Sequence, residues 1–294
     1  MRITSRILIN NFIQGFTKNQ TQIAKIQESI ASGKRINRPS DDPVGITQVL
    51  SYKRTLESLG QYKRNIDQGK NWLNITSTAL TNLKNLVVRA NEIAIAQASS
   101  TADDFSRDVA AQEIQVIFDQ VAQLANTKLD NRYIFGGYKT NTAPFDSSGA
   151  YSGDDGEIKV EISPDVSVVV NISGNRVFKG SGGGKDIFTI LSDLKTALEN
   201  DNSTGIAAQL GELNSALEQV IREISYAGAK INQLETTRER TLDFETEFTL
   251  LLSGTEDMDM AKAITELNAK QLAYEASLAA AKRVILQSLV DFLR

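Results

Sequence analysis

The sequence predicts a mainly α-helical protein, an elongated rod of long, antiparallel, coiled-coil-like helices that carries one small β-rich insertion. Three observations predict it. At both ends of the chain the apolar residues step alternately by three and four positions, which lines one face of a helix and forms a heptad seam. Between residues 59 and 94 aliphatic side chains recur every seven positions, and β-branched alternation between turn clusters is confined to residues 139–185. The 294 residues are 41% hydrophobic, enough to bury a core, while 6% aromatics and four prolines favour long helices over an aromatic-centred globule.

The first seam comprises Ile9, Phe12, Phe16, Ile23, Ile26 and Ile30, with Asn19 at its one polar position. A single polar residue in such a seam commonly specifies register. Gly33 interrupts the pattern, and Asp41-Asp42-Pro43 reads as a capping carboxylate before the proline favoured at a first helical position. Leu59, Ile66, Leu73, Leu80, Val87 and Ala94 then mark one helix over residues 46–98, with Tyr62, Leu83 and Ala90 as companions. At ~1.5 Å per residue it is roughly 75 to 80 Å long. A turn at residues 99–104 leads to a third helix, carried by Ile114, Ile117, Val121 and Leu124 and reaching about Lys128.

Residues 157–162 and 166–172, separated by Ser163-Pro164-Asp165, predict a β-hairpin, with a third short strand at 176–179. A helix near 186–199 and a long one over 205–252 follow, the latter lined by Leu210, Leu213, Leu217, Val220, Ile221, Ile224, Ile231, Leu234, Leu242 and Phe244. Glu256-Asp257-Met258-Asp259 reads as the acidic start of the last helix, capped by Ser253 or Thr255. Its predicted seam is Ile264, Leu267, Gln271, Tyr274, Leu278, Ala281, Ile285, Ser288 and Phe292. Neither terminal helix can bury its seam alone. The domain organisation expected is a terminal assembly helix and turn at 1–45, a central helical body at 46–138 plus 186–255, the β-rich insertion at 139–185, and a C-terminal assembly helix at 256–294.

Composition also narrows function. Cysteine and histidine are both absent, which removes disulfides, thiolate nucleophiles, the commonest zinc ligands and the usual general base near neutral pH. Gly180-Ser181-Gly182-Gly183-Gly184-Lys185-Asp186 lacks the first glycine and the Ser/Thr of a phosphate loop and reads as a linker. Asp41 and Asp42 have no further acidic residue nearby to complete a metal site. No catalytic constellation, metal site or cofactor is expected. No stretch reaches the roughly 18 to 20 apolar residues that span a bilayer, so no membrane insertion is expected, and no cleavable signal is visible.

Residues 1–70 hold 12 Lys/Arg against 5 Asp/Glu, leaving 20 against 31 beyond. Because those bases alternate with core-facing Ile and Phe, the asymmetry favours an acidic partner helix over nucleic acid.

The segment Ile30-Ala31-Ser32-Gly33-Lys34-Arg35-Ile36-Asn37-Arg38-Pro39-Ser40-Asp41-Asp42-Pro43-Val44-Gly45 resembles the N-terminal signature of the bacterial flagellin superfamily. Glu256-Asp257-Met258-Asp259-Met260-Ala261, the run from Gln271 to Leu278, and the end at Leu293-Arg294 resemble its C-terminal signature. Met1-Arg2-Ile3-Thr4 and Arg132-Tyr133-Ile134-Phe135-Gly136-Gly137-Tyr138-Lys139-Thr140 are more like its hook-associated branch than flagellin itself. That resemblance implies a non-enzymatic, extracellular structural subunit of a ring joining hook to filament. Its partners would be hook-associated protein 1, flagellin, further copies of itself, and a flagellar export chaperone at the C-terminal helix, with export by the flagellar type III route. The alternative is a flagellin that forms the filament.

Under this reading the assembly interface is carried by Ile9, Phe12, Phe16, Ile23, Ile26 and Ile30 together with Ile264, Leu267, Tyr274, Leu278, Ile285 and Phe292. Gly33 and Gly45 turn the chain between layers, Asp41 and Asp42 shape that turn, and Lys34, Arg35 and Arg38 are free for acidic neighbours.

Overall fold

The computed structural model describes the backbone of residues 2–99 and 103–292, and the side chains of residues 7, 9–99 and 103–282. The chain runs through α1 (Arg2–Ser32), α2 (Pro43–Gln97), α3 (Asp104–Ala125), β1 (Lys128–Leu129), β2 (Arg132–Tyr133), β3 (Lys159–Ser163), β4 (Val166–Val169), α4 (Gly174–Phe178), α5 (Ile187–Glu199), α6 (Ser203–Glu256) and α7 (Met260–Phe292). It divides into two compact units, Met1–Ser58 with Phe244–Arg294 and Leu59–Asp243.

In the Leu59–Asp243 unit the long helices lie antiparallel, because partners on α6 fall in number as those on α2 rise. Asp67 accepts from Arg238 at 2.8 Å, Glu235 from Lys70 at 2.8 Å, and Asn214 from Asn91 at 3.1 Å. Of the seven-residue set of α2, Ile66, Leu73, Leu80, Val87 and Ala94 are fully buried and Leu59 is half-buried. Leu213, Val220 and Leu234 of α6 pack with this set, whereas Ile221 and Phe244, expected to line the same face, lie exposed because they fall off the buried stripe of the helix. α3 returns along α2, with Arg89 donating to Glu113 at 2.7 Å and Gln97 to Ser106 at 3.1 Å, and it also packs on α5. The scarce aromatics are concentrated here. Phe135, Phe145, Phe178 and Phe188 form one core cluster with ring centroids 5.1 to 6.0 Å apart, so this unit is aromatic-centred although the chain is aromatic-poor.

Between residues 125 and 179 the structure differs from expectation in three places. The predicted hairpin forms, with Lys159 opposite Val169 and Val160 opposite Val168, and it buries Ile162, Val168 and Val170 against Ile66, Leu73 and Leu234. Its second strand stops at Val169, short of 172. There Asn171 replaces the ladder, accepting from the Ile158 N–H at 2.8 Å and donating to the Gly156 carbonyl at 2.7 Å.

The expected third strand at 176–179 is instead helical α4. Ser173 caps it and Val177 and Phe178 point into the core, so local capping and burial override β-branched propensity. The third helix ends at Ala125, not near Lys128, because a tight β1–β2 hairpin begins there. Asp130 and Asn131 both take positive φ, the backbone of a two-residue type I′ turn.

The 132–140 segment singled out in the sequence has a packing role. Ile134 and Phe135 are buried, and Gly137 has a φ of +67°, where a side chain would collide with the Asp154 carbonyl. Tyr138 reaches the Glu157 carbonyl at 3.0 Å.

Candidate assembly interface

Within the other unit α1 and α7 form an antiparallel hairpin. Phe16 stacks on Tyr274 with centroids 4.6 Å apart, and Lys270 donates to Gln22 at 2.8 Å. On α1 the seam residues Phe12, Phe16, Asn19, Ile23, Ile26 and Ile30 are all half-buried and Ile9 is exposed. On α7 the buried and half-buried residues are Ala263, Leu267, Lys270, Tyr274, Ser277 and Ala281, again stepping by three and four.

The intramolecular seam of α7 is therefore displaced from the predicted one. Leu267, Tyr274 and Ala281 belong to both, whereas Ile264, Gln271 and Leu278 lie exposed on the adjoining flank. Small residues at 263 and 277 let the two helices approach, and two helices alone cover only one side of each other. Ile285 and Phe292 lie outside the residues whose side chains are described.

The two terminal signatures, 220 residues apart in the chain, meet in this unit. Gly33, with a φ of +72°, ends α1, and the next residues pair with the break between α6 and α7. The Arg35 N–H donates to the Glu256 carbonyl at 2.7 Å and the Met258 N–H to the Gly33 carbonyl at 3.0 Å, flanking a bridge between Lys34 and Asp257. Glu256 is only 5% exposed, and its Oε1 takes the ammonium groups of Lys34 at 2.9 Å and Lys53 at 2.7 Å. Burial pushes this carboxyl up, but the two lysines outweigh it and hold it below the usual glutamate value; Glu256 in turn raises Lys34.

Glu256 is thus the last residue of α6 and not the acidic start of the final helix. The cap of α7 is Asp259, which accepts from the Lys262 N–H at 3.1 Å, while Ser253 donates to Asp257 at 2.6 Å. Neither Ser253 nor Thr255 caps that helix.

The basic residues expected to be free have partners in the same chain. Besides Lys34 with Glu256, Arg35 donates to the Thr255 carbonyl at 2.8 Å and to Asp42 at 3.3 Å, and Arg38 pairs with Glu28 at 2.8 Å. Asp41 receives Lys25 at 3.1 Å and the Arg38 N–H at 2.9 Å, which hold its carboxyl below the ordinary range. Asp42 caps α2 through the Gly45 N–H at 2.8 Å, the main cause of its own lowered pKa. Gly45 is buried, and a Cβ there would lie 2.5 Å from Asp42 Oδ2 and 2.6 Å from Ile36 Cδ1. Sequence reasoning missed Glu256 as the buried centre of this clamp, together with Lys53, Ile36 and Val49. Only the proximity of two matched signatures could have pointed to them.

The family described as the bacterial flagellin N-terminal helical region matches residues 3–140. Flagellar hook-associated protein 3 of Escherichia coli is 28% identical over 301 residues, covering 94% of this chain and 95% of that protein. The Salmonella typhimurium protein of the same name is 26% identical over 300 residues, with the same coverage. Flagellin of Bacillus subtilis is 25% identical over 289 residues, covering 94% of each. Among solved structures, a flagellar hook-associated protein from Vibrio parahaemolyticus shares the fold at a TM-score of 0.69 and 20% identity, over 74% of this chain and all of that one. The flagellar junction protein of Legionella pneumophila does so at 0.60 and 18%, over 73% and all of it. The match to the flagellin family thus spans residues 3–140, and the relatives that the chain resembles from end to end include flagellar hook-associated protein 3.

Proposed function

We propose that the chain is a structural subunit of the bacterial flagellum that joins hook to filament, assembling through α1 and α7. The observation that carries this reading is a terminal hairpin whose seam is half covered and whose flank leaves Ile9, Ile264 and Leu278 in water. Each large apolar side chain withdrawn from water contributes roughly 1.5 to 3 kcal/mol, against ~0 to 1 kcal/mol for a surface ion pair, so burial drives assembly and charge sets orientation. The partners are hook-associated protein 1 on the hook side, flagellin on the filament side and further copies of this chain in a ring. Before assembly the chain leaves the cell by the flagellar type III route with an export chaperone on α7. The clamp around Glu256 holds the hairpin by intrachain pairs, leaving the apolar flank as the surface offered to neighbours.

Electron microscopy of flagella from a strain lacking this chain tests the reading. Intact hooks without filaments, with flagellin shed into the medium and repaired by the wild-type chain, are expected; normal filaments would overturn it. The second reading, a filament-forming flagellin, is favoured by the end-to-end likeness to the Bacillus subtilis flagellin. It requires the purified chain to polymerise alone into long filaments. Replacing Phe16 and Ile23 with Asp is expected to abolish filament attachment while the Leu59–Asp243 unit keeps its melting temperature.

A further inference from the structure

The glycine-rich run between α4 and α5 reads as a linker in the sequence. From Lys179 to Asp186 it carries no apolar side chain, yet it is held by polar contacts at its neck, its turn and its middle. Lys179 closes the neck, donating to Asp186 at 2.6 Å and to the Gly149 carbonyl at 3.2 Å. The Gly184 N–H closes the turn on the Gly180 carbonyl at 2.8 Å, and the Ser181 N–H reaches the Asn175 carbonyl at 3.1 Å. Gly180 has a φ of +71°, and Ser181, Gly182 and Gly183 form an exposed tip.

Gln219 of α6 is the anchor. It is polar and only 3% exposed, on the buried side of a helix otherwise lined there by Leu213, Ala216 and Val220. Its Oε1 accepts from the Lys185 N–H at 2.7 Å, and its Nε2 donates to the Val177 carbonyl at 2.7 Å and the Lys185 carbonyl at 3.2 Å. One buried amide therefore joins the end of α4 to the start of α5. The fit excludes a side chain at Gly184, where a Cβ would collide with Gln219 Oε1. Nearer the surface, Lys185 Nζ pairs with Glu212 of α6 at 2.7 Å. A buried amide engaged in this way fixes one backbone arrangement, because any other leaves its polar atoms unpaired.

The run and the helices it joins are held by different forces. Phe178 of α4 and Phe188, Leu191 and Leu194 of α5 are buried in the core, whereas the run itself contributes hydrogen bonds and ion pairs. Opening the run exposes little apolar surface, and undocking the helices exposes much.

We propose that residues 179–186 are a latch, closed on Gln219, which opens by itself while the helices it joins stay packed.

Amide exchange on the full chain tests this. In the wild-type chain the Lys185 N–H should exchange more slowly than in a free peptide but faster than the N–H of Leu80 in the core. Its rate should hold constant in low urea, because opening exposes so little surface, while that of Leu80 rises. Gln219→Ala should speed Lys185 exchange roughly 10- to 100-fold with Trp72 emission unchanged, the sign that the core stays packed. Gly184→Ala keeps Gln219 but drives a methyl onto its Oε1, and it should act in the same direction. Exchange of wild-type Lys185 at the free-peptide rate would return the segment to a linker. One rate and one urea dependence shared by Lys185 and Leu80 would mean that the segment opens only with the whole core. Unchanged Lys185 exchange in both variants would remove Gln219 as the anchor.

Discussion

Glu256 accepts two ammonium groups in a nearly buried position, so its removal leaves Lys34 and Lys53 facing each other across the break between α6 and α7. A carboxylate held below its usual 4.5 stabilises the folded form above that value and loses the contribution as pH falls through the folded-state pKa. Lys34, raised above 10.5, contributes below that value and loses it as pH rises through its own folded-state pKa. Amide exchange of Arg35 and Met258, whose N–H groups close the clamp, is therefore expected to accelerate below pH 4.5. In Glu256→Gln exchange should be fast at neutral pH and the acid step smaller, since only Asp41 and Asp42 remain to supply it. Unchanged protection in the variant would show that backbone pairing alone holds the clamp. Gly45 gives a steric counterpart. Gly45→Ala forces a methyl against Asp42 and Ile36, an overpacking that costs about 1 to 3 kcal/mol, and it should raise Met258 exchange at every pH.

At the scale of elements, long periodic helices were legible because their burial is repetitive. The predicted helix over 46–98 is observed as Pro43–Gln97, and that over 205–252 as Ser203–Glu256. Less legible were choices decided by contacts distant in sequence. The seam of α7 was read from its largest apolar residues, but the hairpin prefers Ala263 and Ser277 because small side chains permit close approach. Ile264 and Leu278 are left exposed. Likewise α4 and the Asp130-Asn131 turn depend on a single cap and a pair of positive φ values, which hydrophobic periodicity does not register. In the candidate interface, the α1 stripe and the turn glycines could be read directly, whereas the clamp could not, since Glu256 and Lys34 are brought together only by the fold.

The displaced seam makes its own prediction. Leu278→Asp should leave the α1–α7 hairpin intact, judged by amide protection around Phe16, yet abolish filament attachment, whereas Leu267→Asp should unravel the hairpin itself. Loss of hairpin protection in Leu278→Asp would return that residue to the intramolecular seam.

The two units bury very different amounts of apolar surface. The Leu59–Asp243 unit holds both large core clusters, whereas among the described residues of the other unit the fully buried apolar side chains are Ile36, Val49 and Ala263. A unit with so thin a core among its described residues is expected to open at a lower cost than the other, and under the proposed function it would gain burial from its neighbours. The sole tryptophan, Trp72, is buried in the larger unit and reports on that unit alone. Heating the isolated chain should therefore give two stages. Far-UV circular dichroism should fall first, as the terminal helices melt, while Trp72 emission stays fixed until the second stage. Phe16→Asp with Ile23→Asp should lower only the first midpoint, by roughly 4 to 8 °C for each kcal/mol lost in a unit near 100 residues, with the Trp72 transition unmoved. A single transition shared by both probes would mean that the continuous helices α2 and α6 couple the units into one cooperative fold. The terminal hairpin would then be ordered before assembly, and burial against neighbours would add affinity without adding order.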